Sequence, residues 1–502
     1  MTAFQTKLPF SRFSKGICTA FSTADRLLDR SVIWLLACAA VLALQTALIV
    51  THWPWPDEYQ ALQIAVQAPD IATLLQWLRY EGHPPLWYLL LRSLAHLTEP
   101  LDTLWLAALL LAIPGQCLII FASPFTRIER LLIALSEFFL FDFFTISRSQ
   151  TLGVLVLLLV MATWRSRWVW IAIVLLPMCD FLFGVLSGIF VLMKWREGAL
   201  TPPWAALWLL SGIVATWTVW PAPNMVSAFQ QLGIQNSAIL WIQKVDSLLI
   251  PFQGGLRPQW NSRLFPIANI AWIGFLALCW HETRDTLTNR VLLFGFIGLT
   301  LVFSLASYPL GLRHLMLIAL FLILLAWHGH MQGKIPSGAF RTWLTIAALS
   351  GISTAIIALQ RPFDTAHVAV AEIRKQGLEN RHWMAFPEWR VSGLSALSGM
   401  KFERPEQHCM LDFVRWDYHN TLINSPQLEN FLRDEITRHG RSYLVSDRTI
   451  TNIPKETLLP LWKSPVGYDG LTYHLYVVGP NSDEKEVNLP SCVDNKRALQ
   501  RL

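Results

Sequence analysis

Apolar segments long enough to cross a membrane recur along most of this chain. A helix needs roughly 20 apolar residues to span the ~30 Å hydrocarbon core of a bilayer, and residues 31–50 form the first such run. Only 15% of the 502 residues are charged, whereas a soluble domain carries about 25%. The sequence therefore predicts a polytopic α-helical membrane protein with about 10–12 membrane segments. The predicted segments are 31–50, 84–98, 101–122, 131–146, 149–164, 168–193, 203–221, 264–280, 291–307, 312–328 and 342–360.

Short clusters of Lys and Arg between the apolar runs indicate which loops lie in the cytoplasm. They place the segment 1–30 inside, and they place residues 51–83, 222–263 and everything after 361 outside. A signal peptide has a shorter apolar core and a small-residue cleavage site, so residues 31–50 are expected to remain as the first helix. We expect a multi-pass protein of the inner (cytoplasmic) membrane, with a cytoplasmic N-terminus and a periplasmic or extracytoplasmic C-terminal domain. The net charge of +6 is small for this length, and no nucleic acid is expected as a partner.

Two of the predicted segments are irregular. Segment 168–193 has positive flanks at both ends and is interrupted by "LPMCDF", which fits a broken hairpin that enters and leaves on the cytoplasmic side. Segment 84–98 would make a helix only about 22 Å long. The charge rule then requires that this segment or the following one, 101–122, is partial or bent, and Pro114-Gly115 is the candidate bend.

The composition changes after Arg361, where charged residues become frequent and long apolar runs stop. The stretches "HWMAF", "SYLVS" and "YHLYVVG" predict strands, and "SPQLENFLRDEITRHG" predicts a helix. Residues 361–502 are therefore predicted to form a small C-terminal α/β outer domain behind the transmembrane domain 31–360. Cys409 and Cys492 are its only cysteines, and an oxidising compartment would allow a disulfide between them, although sequence alone does not fix the geometry. No CxxC or His/Cys spacing indicates a zinc site.

Polar residues gather at four junctions between loop and helix on the predicted outer side. An arginine at a helix end often only snorkels to the interface, and paired acids after a helix are as often a spacer as a site. Four such junctions on one face nevertheless supply what a reaction on a phosphate-bearing substrate needs. Arginine and histidine bind phosphate oxygens, and a carboxylate removes a proton from an acceptor. The junctions hold Asp57 and Glu58; Glu81 and His83; Arg148; and Tyr308, Arg313 and His314.

Two acids lie inside predicted membrane segments, where a charge is costly and is usually paired or functional. Asp180 is at the proposed tip of the broken hairpin, and its expected role is to satisfy polar groups there. Asp142 lies about one and a half helical turns before Arg148. It is a candidate second acid of the substrate groove, together with Glu81 and His83.

The order of these junctions resembles that of the GT-C-type glycosyltransferases, which use polyprenyl-phosphate sugars. This broad group contains the protein O-mannosyltransferases and the lipid A aminoarabinose transferases. An acidic pair in the first outer loop is followed by "GHPPLWYLLL", by "SRSQTLG" and by an Arg-bearing "YPLGLRH" junction. The resemblance covers most of residues 31–360, and the His-Pro-Pro-Leu segment with the upstream Asp-Glu is its most specific part. A C-terminal outer domain of α/β type also fits the group.

The resemblance implies a role for each junction. Asp57 would face the acceptor as a base or orienting group, and Glu58 beside it is the second candidate catalytic residue. Arg313 would contact the lipid-linked phosphate. The family often has an aromatic residue two positions after the arginine of the "SR" motif, where this chain has Gln150 after Arg148. The expected donor-phosphate residues are Arg313, His314, Arg148 and Tyr308.

These features predict an integral-membrane hexosyl- or pentosyltransferase that takes a sugar from an outward-facing polyprenyl-phosphate donor. Its other expected partners are membrane lipids and an acceptor that is a lipid, a glycan or a protein. The sequence identifies no certain cofactor, although Asp57 and Glu58 could bind a divalent cation together with substrate oxygens. The alternative is a non-enzymatic transporter of a lipid-linked sugar or an anionic solute, but the two halves show no clear internal symmetry of the kind common in transporters. A structural assembly protein is a third alternative, and it leaves the grouping of acids and arginines unexplained.

Overall fold

The computed structural model describes residues 21–225, 234–252, 260, 270–307, 309–404, 407–411, 413–417 and 427–492. The chain divides into two compact units. The first, called here the helical unit, consists of Met1–Val50, Ala108–Ile213 and Phe229–Leu359. The second, called here the sheet unit, consists of Thr51–Ala107, Val214–Ala228 and Gln360–Leu502. Residues 51–83 therefore belong to the same compact unit as the C-terminal residues.

Helices dominate the described part of the chain. Two π-helical turns, Leu118–Ala122 and Phe138–Phe143, and two 3-10 turns, Leu176–Met178 and Glu388–Arg390, interrupt or join them. The α-helices are α1 (Ser31–Thr51), α2 (Pro56–Gln67), α3 (Ile71–Leu78), α4 (Leu86–Ala95), α5 (Pro100–Cys117), α6 (Arg127–Ala134), α7 (Ser149–Ala162), α8 (Val169–Leu175), α9 (Phe181–Arg196), α10 (Pro202–Val219), α11 (Ile234–Leu249), α12 (Ala271–Glu282), α13 (Leu287–Ala306), α14 (Leu312–Met331), α15 (Gly338–Gln360), α16 (Ala366–Lys375), α17 (Val391–Ser398) and α18 (Gln427–His439).

Five helical stretches of the described residues are long and apolar enough to cross a membrane, as expected of a multi-pass membrane protein. Their lengths of 20 to 23 residues match the roughly 20 residues that a bilayer core requires. They differ in burial: α14 is almost wholly enclosed by other helices, whereas α13 leaves large apolar side chains such as Val291 and Val302 more than half exposed. Such outward apolar side chains suit contact with lipid. The five are Ser31–Thr51, Pro100–Ala122, Leu287–Ala306, Leu312–Met331 and Gly338–Gln360.

The predicted segment 131–146 is not one helix. Helix α6 ends at Ala134, and a π-helical turn begins at Phe138. The backbone between them passes so close to Gly351 of α15 that a Cβ there would lie 2.2 Å from the Leu135 carbonyl oxygen. The segment contains four polar residues, Ser136, Glu137, Asp142 and Thr145, but no Gly or Pro. The contact with a distant glycine therefore accounts for the break better than a helix-breaking residue in the local sequence does.

Buried amide side chains satisfy the backbone groups that this break leaves without helical partners. The Gln45 side chain donates to the Leu140 carbonyl at 3.2 Å, and the Gln116 side chain donates to the Ala134 carbonyl at 3.1 Å. Gln116 also donates to the Gln45 side-chain oxygen at 2.9 Å. In an apolar surrounding an unsatisfied carbonyl costs several kcal/mol. The hydrogen bonds from these two glutamines offset that cost for the non-helical backbone.

Neither segment 168–193 nor segment 84–98 forms one full-length spanning helix. Segment 168–193 is divided into α8 and α9, and Asp180 caps α9 by accepting a hydrogen bond from the Leu182 N–H at 3.2 Å. Segment 84–98 forms only the 10-residue helix α4, which is too short for a span. Helix α5 continues through Pro114 instead of ending there.

A six-stranded mixed sheet forms the C-terminal part of the sheet unit. Its strand order is β3-β2-β1-β4-β6-β5, with β1 parallel to both β2 and β4 and the other pairs antiparallel. Cys409 of β3 is disulfide-bonded to Cys492. The strands are β1 (Trp383–Phe386), β2 (Phe402–Arg404), β3 (Cys409–Leu411), β4 (Ser442–Ser446), β5 (Leu458–Lys463) and β6 (His474–Val478).

Both faces of this sheet are covered by helices. Along β1, Trp383 and Ala385 belong to one apolar core with residues of α16 and α17, while Met384 and Phe386 belong to another with residues of α18. Alternate side chains of a strand point to opposite faces, so a strand buried on both sides reads as a continuous apolar run. This explains why "HWMAF" is apolar without alternation.

We predict that Gly351→Ala lowers the stability of the helical unit by at least about 2 kcal/mol, because a β-carbon would overlap backbone atoms that cannot move independently. The matched control is Gly295→Ala on α13, where no atom lies within 4 Å of the new β-carbon. That change should be neutral or stabilising by up to about 1 kcal/mol. Thermal unfolding of both variants in detergent measures the difference, and equal melting temperatures would contradict the packing described for α15.

Candidate functional site

The residues predicted for the site fall in both units, and each unit holds its own group. The helical unit contains Asp142, Arg148, Arg313 and His314. The sheet unit contains Asp57, Glu58, Glu81 and His83. Tyr308, which was predicted to contact the donor phosphate, lies outside the described residues.

Arg313 is held at the beginning of the buried helix α14. It is the second residue of that helix, after the N-cap Gly311, and its side chain is buried. Its Nη2 donates to the carbonyl oxygen of Ile146 at 3.2 Å. Ile146 precedes α7 in a non-helical stretch, where a carbonyl has no intrahelical partner and is available to the guanidinium. The contact fixes one edge of the arginine.

Asp142 lies near Arg313 and interacts with its charge. It is fully buried in the π-helical turn, and its Oδ1 accepts a hydrogen bond from the Trp260 indole at 3.1 Å. A second buried acid, Glu137, is the N-cap of the same turn. Sequence reasoning missed Glu137, although a second acid in the same predicted membrane segment is a signal that could have found it. No comparable sequence pattern indicates that Trp260 contacts Asp142.

Further cations lie near the start of α14. Lys244 of α11 donates from Nζ to the Leu310 carbonyl at 2.6 Å. His314 directly follows Arg313 and is half-buried, with its ring 6.4 Å from the ring of Phe181. Lys244 was missed because residues 222–263 were expected to be a loop, whereas residues 234–249 form a helix.

Arg148, the remaining predicted cation, occupies the N-cap position of α7. Its backbone N–H donates to the Thr151 hydroxyl at 3.3 Å, and its side chain is half-buried. It follows Ile146, the residue whose carbonyl holds Arg313, by two positions. The backbone of residues 146–148 therefore connects the two predicted phosphate-binding arginines.

The two adjacent acids of the first loop have different surroundings. Glu58 is fully buried and completes the cap of α2: its Oε2 accepts from the Trp55 N–H at 3.1 Å and lies 2.9 Å from Nε2 of His52. Asp57 is half-buried in the first turn of the same helix. Successive residues of a helix point about 100° apart, so only one of the pair can face the cap. The local contacts give Glu58 a structural role.

Gln60 brings Glu81 to helix α2. Its Nε2 donates to Glu81 Oε1 at 3.1 Å, while its Oε1 accepts from the Ser392 hydroxyl at 2.8 Å and the Val414 N–H at 2.9 Å. Residues three apart are neighbours on a helix surface, so Gln60 and Asp57 share one face of α2. Glu81 therefore lies on the side of α2 that carries Asp57. His83, two residues further on, is half-buried.

The aromatic loop before α2 is packed on the beginning of the C-terminal residues. The Trp53 carbonyl accepts from the Asp364 N–H at 3.3 Å, and the Trp53 ring stacks on His367 at 3.7 Å. Asp364 is buried and pairs with Arg390 Nη1 at 3.2 Å. Burial and the neighbouring Asp364 raise the pKa of Asp469, a second acid near this arginine. The loop is thereby anchored to a buried polar network.

A further polar cluster in the sheet unit could hold a metal ion, and sequence reasoning did not predict it. His382 directly precedes β1, Glu403 lies on β2, and Glu435 and His439 are one turn apart on α18. One ligand atom from each lies within 4.8 Å of the others. The members come from separate elements, so no short motif marks them; the only sequence signal is the Glu-x-x-x-His spacing on one helix.

Comparison with protein-family models finds no match for this chain, and a search of curated proteins finds none either. The functional case therefore depends on the residues themselves.

We predict that Glu58→Ala destabilises the sheet unit by about 1–3 kcal/mol, because it removes a helix cap and leaves buried His52 without its acceptor. The matched control is Asp102→Ala, since Asp102 is an exposed acid in the first turn of α5. It should change stability by no more than about 0.5 kcal/mol. Chemical unfolding in detergent separates the two. A Glu58→Ala variant as stable as wild type would return Glu58 to the list of catalytic candidates.

Proposed function

We propose that this chain is an integral-membrane glycosyltransferase of the GT-C type. It transfers a sugar from a polyprenyl-phosphate donor to an acceptor at the outer face of the inner membrane. One observation carries the proposal: a buried arginine at the beginning of an enclosed apolar helix, held by a backbone carbonyl beside two buried acids. A buried charge in an apolar helical unit is costly and is usually retained for function.

Arg313 suits the stabilisation of a leaving phosphate. As the glycosidic bond breaks, negative charge grows on the phosphate oxygens, and cations already fixed in place lower the barrier because they need not reorganise. Arg313 is fixed by Ile146, while Lys244 adds positive charge at the same end of α14 and the imidazole of His314 adds a hydrogen-bonding group. The N-terminal N–H groups of a helix also favour an anion.

The two buried acids place negative groups beside this arginine. Asp142 interacts with the charge of Arg313. Glu137 is buried at the N-cap of the π-helical turn that carries Asp142. The indole of Trp260 further fixes Asp142. The acids are thus positioning residues for the arginine.

Asp57 is the proposed acceptor-side group. Its neighbour Glu58 is committed to the helix cap, while Asp57 shares a face of α2 with Gln60, which holds Glu81. A carboxylate there would accept the proton of an acceptor hydroxyl or amine as it attacks the sugar, a contribution of typically 10²–10⁴-fold in rate. Glu81 and His83 are assigned to the groove that receives the acceptor.

We predict that Asp57→Asn and Arg313→Gln each reduce transfer by at least about 100-fold. Purified protein in detergent is incubated with a panel of polyprenyl-phosphate sugars, and donor loss and product gain are measured together. Arg313→Gln should also weaken donor binding, whereas Asp57→Asn should leave donor affinity unchanged and lower the turnover number. This split distinguishes the donor side from the acceptor side.

The matched controls are Asp102→Asn and Arg284→Gln, an exposed acid and an exposed arginine of the same chain. Both should retain activity within about twofold. If wild-type protein consumes no donor of the panel, or if either site variant is as active as its control, the proposal is wrong. Binding of the donor with its passage across a proteoliposome membrane, but without any product, would identify a transporter instead.

A further inference from the structure

We propose that His382, Glu403, Glu435 and His439 form a Zn²⁺ site in the sheet unit. The ion would join α18 to the neighbouring strands β1 and β2 of the sheet. This site is separate from the proposed transfer chemistry and does not depend on it.

The spacing of the four donor atoms suits a tetrahedral ion. Bonds of about 2.05 Å to zinc place neighbouring donors about 3.3 Å apart. The His439 Nε2 lies 3.4 Å from a Glu435 oxygen and 3.9 Å from a Glu403 oxygen. His382 Nε2 lies 2.5 Å from the same Glu403 oxygen, and these two would separate by less than 1 Å around an ion of that size.

Glu435 shows that the cluster is incomplete without a cation. The residue is fully buried, and neither of its carboxylate oxygens has a hydrogen-bond partner. Its nearest arginine, Arg438, is half exposed to solvent and 3.8 Å away. A buried carboxylate that lacks hydrogen bonds costs several kcal/mol. A bound divalent ion would offset that cost for Glu435.

The neighbouring charge supports the same conclusion. Glu403 and Glu435 are both buried, and each has an oxygen close to Nε2 of His439, at 3.9 Å and 3.4 Å. Two like charges confined together are unfavourable unless a cation lies between them. The sheet unit keeps both glutamates at this position, which is the arrangement that a divalent ion stabilises.

The donor set selects zinc among common divalent ions. Two imidazoles favour transition metals over Mg²⁺ and Ca²⁺, which prefer six or more oxygen ligands. Four side-chain donors, here two buried glutamates and two half-buried histidines, are the number that a structural zinc site uses. His408 completes an outer layer, because its Nδ1 lies 2.9 Å from the Glu403 Oε1, a contact that orients a ligating carboxylate.

The backbone geometry explains how these four side chains meet. Met384 is the register partner of Glu403 in the parallel pair β1–β2. His382 precedes Met384 by two residues, and side chains two apart along a strand point to the same face. The side chains of His382 and Glu403 therefore lie on the same face of the sheet. On α18, Glu435 and His439 are four residues apart and so lie on one helix face. The helix thus supplies two ligands, and strand β2 and the residue before β1 supply one each.

The test uses the full chain, purified in detergent and treated with EDTA. Zn²⁺ is added in competition with a fluorescent zinc chelator, and bound metal is counted per chain. Wild type should bind one Zn²⁺, whereas Glu435→Gln and His439→Ala should raise the dissociation constant by more than about 100-fold. His408→Ala should weaken binding by about 10–100-fold. The matched control is Glu429→Gln on the same helix, outside the cluster, and it should bind as wild type does.

A stability readout separates lost binding from lost folding. Without metal, Glu435→Gln should melt at or above the wild-type temperature, because it removes a buried charge. Added Zn²⁺ should raise the melting temperature of wild type and of Glu429→Gln, but not that of Glu435→Gln. No stoichiometric zinc in wild type, or equal affinity in Glu435→Gln, would overturn the proposal. A metal-free Glu435→Gln that melts far below wild type would also overturn it, since the carboxylate would then be held by protein contacts.

Discussion

The structure of the helical unit depends on one constraint: backbone polar groups in an apolar surrounding must all find partners. Most of them do so inside regular helices. At residues 135–137 the backbone is not helical, and it passes close to Gly351 of α15, which has no β-carbon to prevent the approach. The side chains of Gln45 and Gln116 supply the missing donors. The polar residues of the proposed donor side gather around this break and the turn that follows it.

The two adjacent acids of the first loop, Asp57 and Glu58, lie in different surroundings. Glu58 stabilises the start of α2, while Asp57 is presented on the face that carries Gln60. The same economy recurs at Arg313, where acids and a carbonyl position one cation. In the proposed reaction, groups held in this way would replace the reorganisation of water by a prearranged polar environment.

Sequence patterns predicted the features that local residues determine. The runs that became α1, α13, α14 and α15 are long and apolar, and "HWMAF", "SYLVS" and "YHLYVVG" are confirmed as β1, β4 and β6. The break in 131–146 could not be predicted, because its cause is a glycine more than 200 residues later in the sequence.

The same reason hid the cluster of His382, Glu403, Glu435 and His439. Its ligands lie on two strands and a helix, and only the sheet register brings them together. The assignment of Asp57 and Arg313 to one reaction remains a prediction from the order of motifs. Spacing along a chain identifies residues that act within one element, whereas sites built from several elements need the fold.

The packing of the loop at residues 52–55 also has a consequence for biosynthesis. Its partners Phe363, Asp364 and His367 are made only after most of the helical unit has left the ribosome. Until then His52, Trp53 and Trp55 lack the aromatic rings that they contact in the folded protein. The loop at residues 52–55 is therefore synthesised early, and its aromatic side chains are buried only when the C-terminal residues fold. Membrane insertion and folding of the sheet unit are thus linked in time.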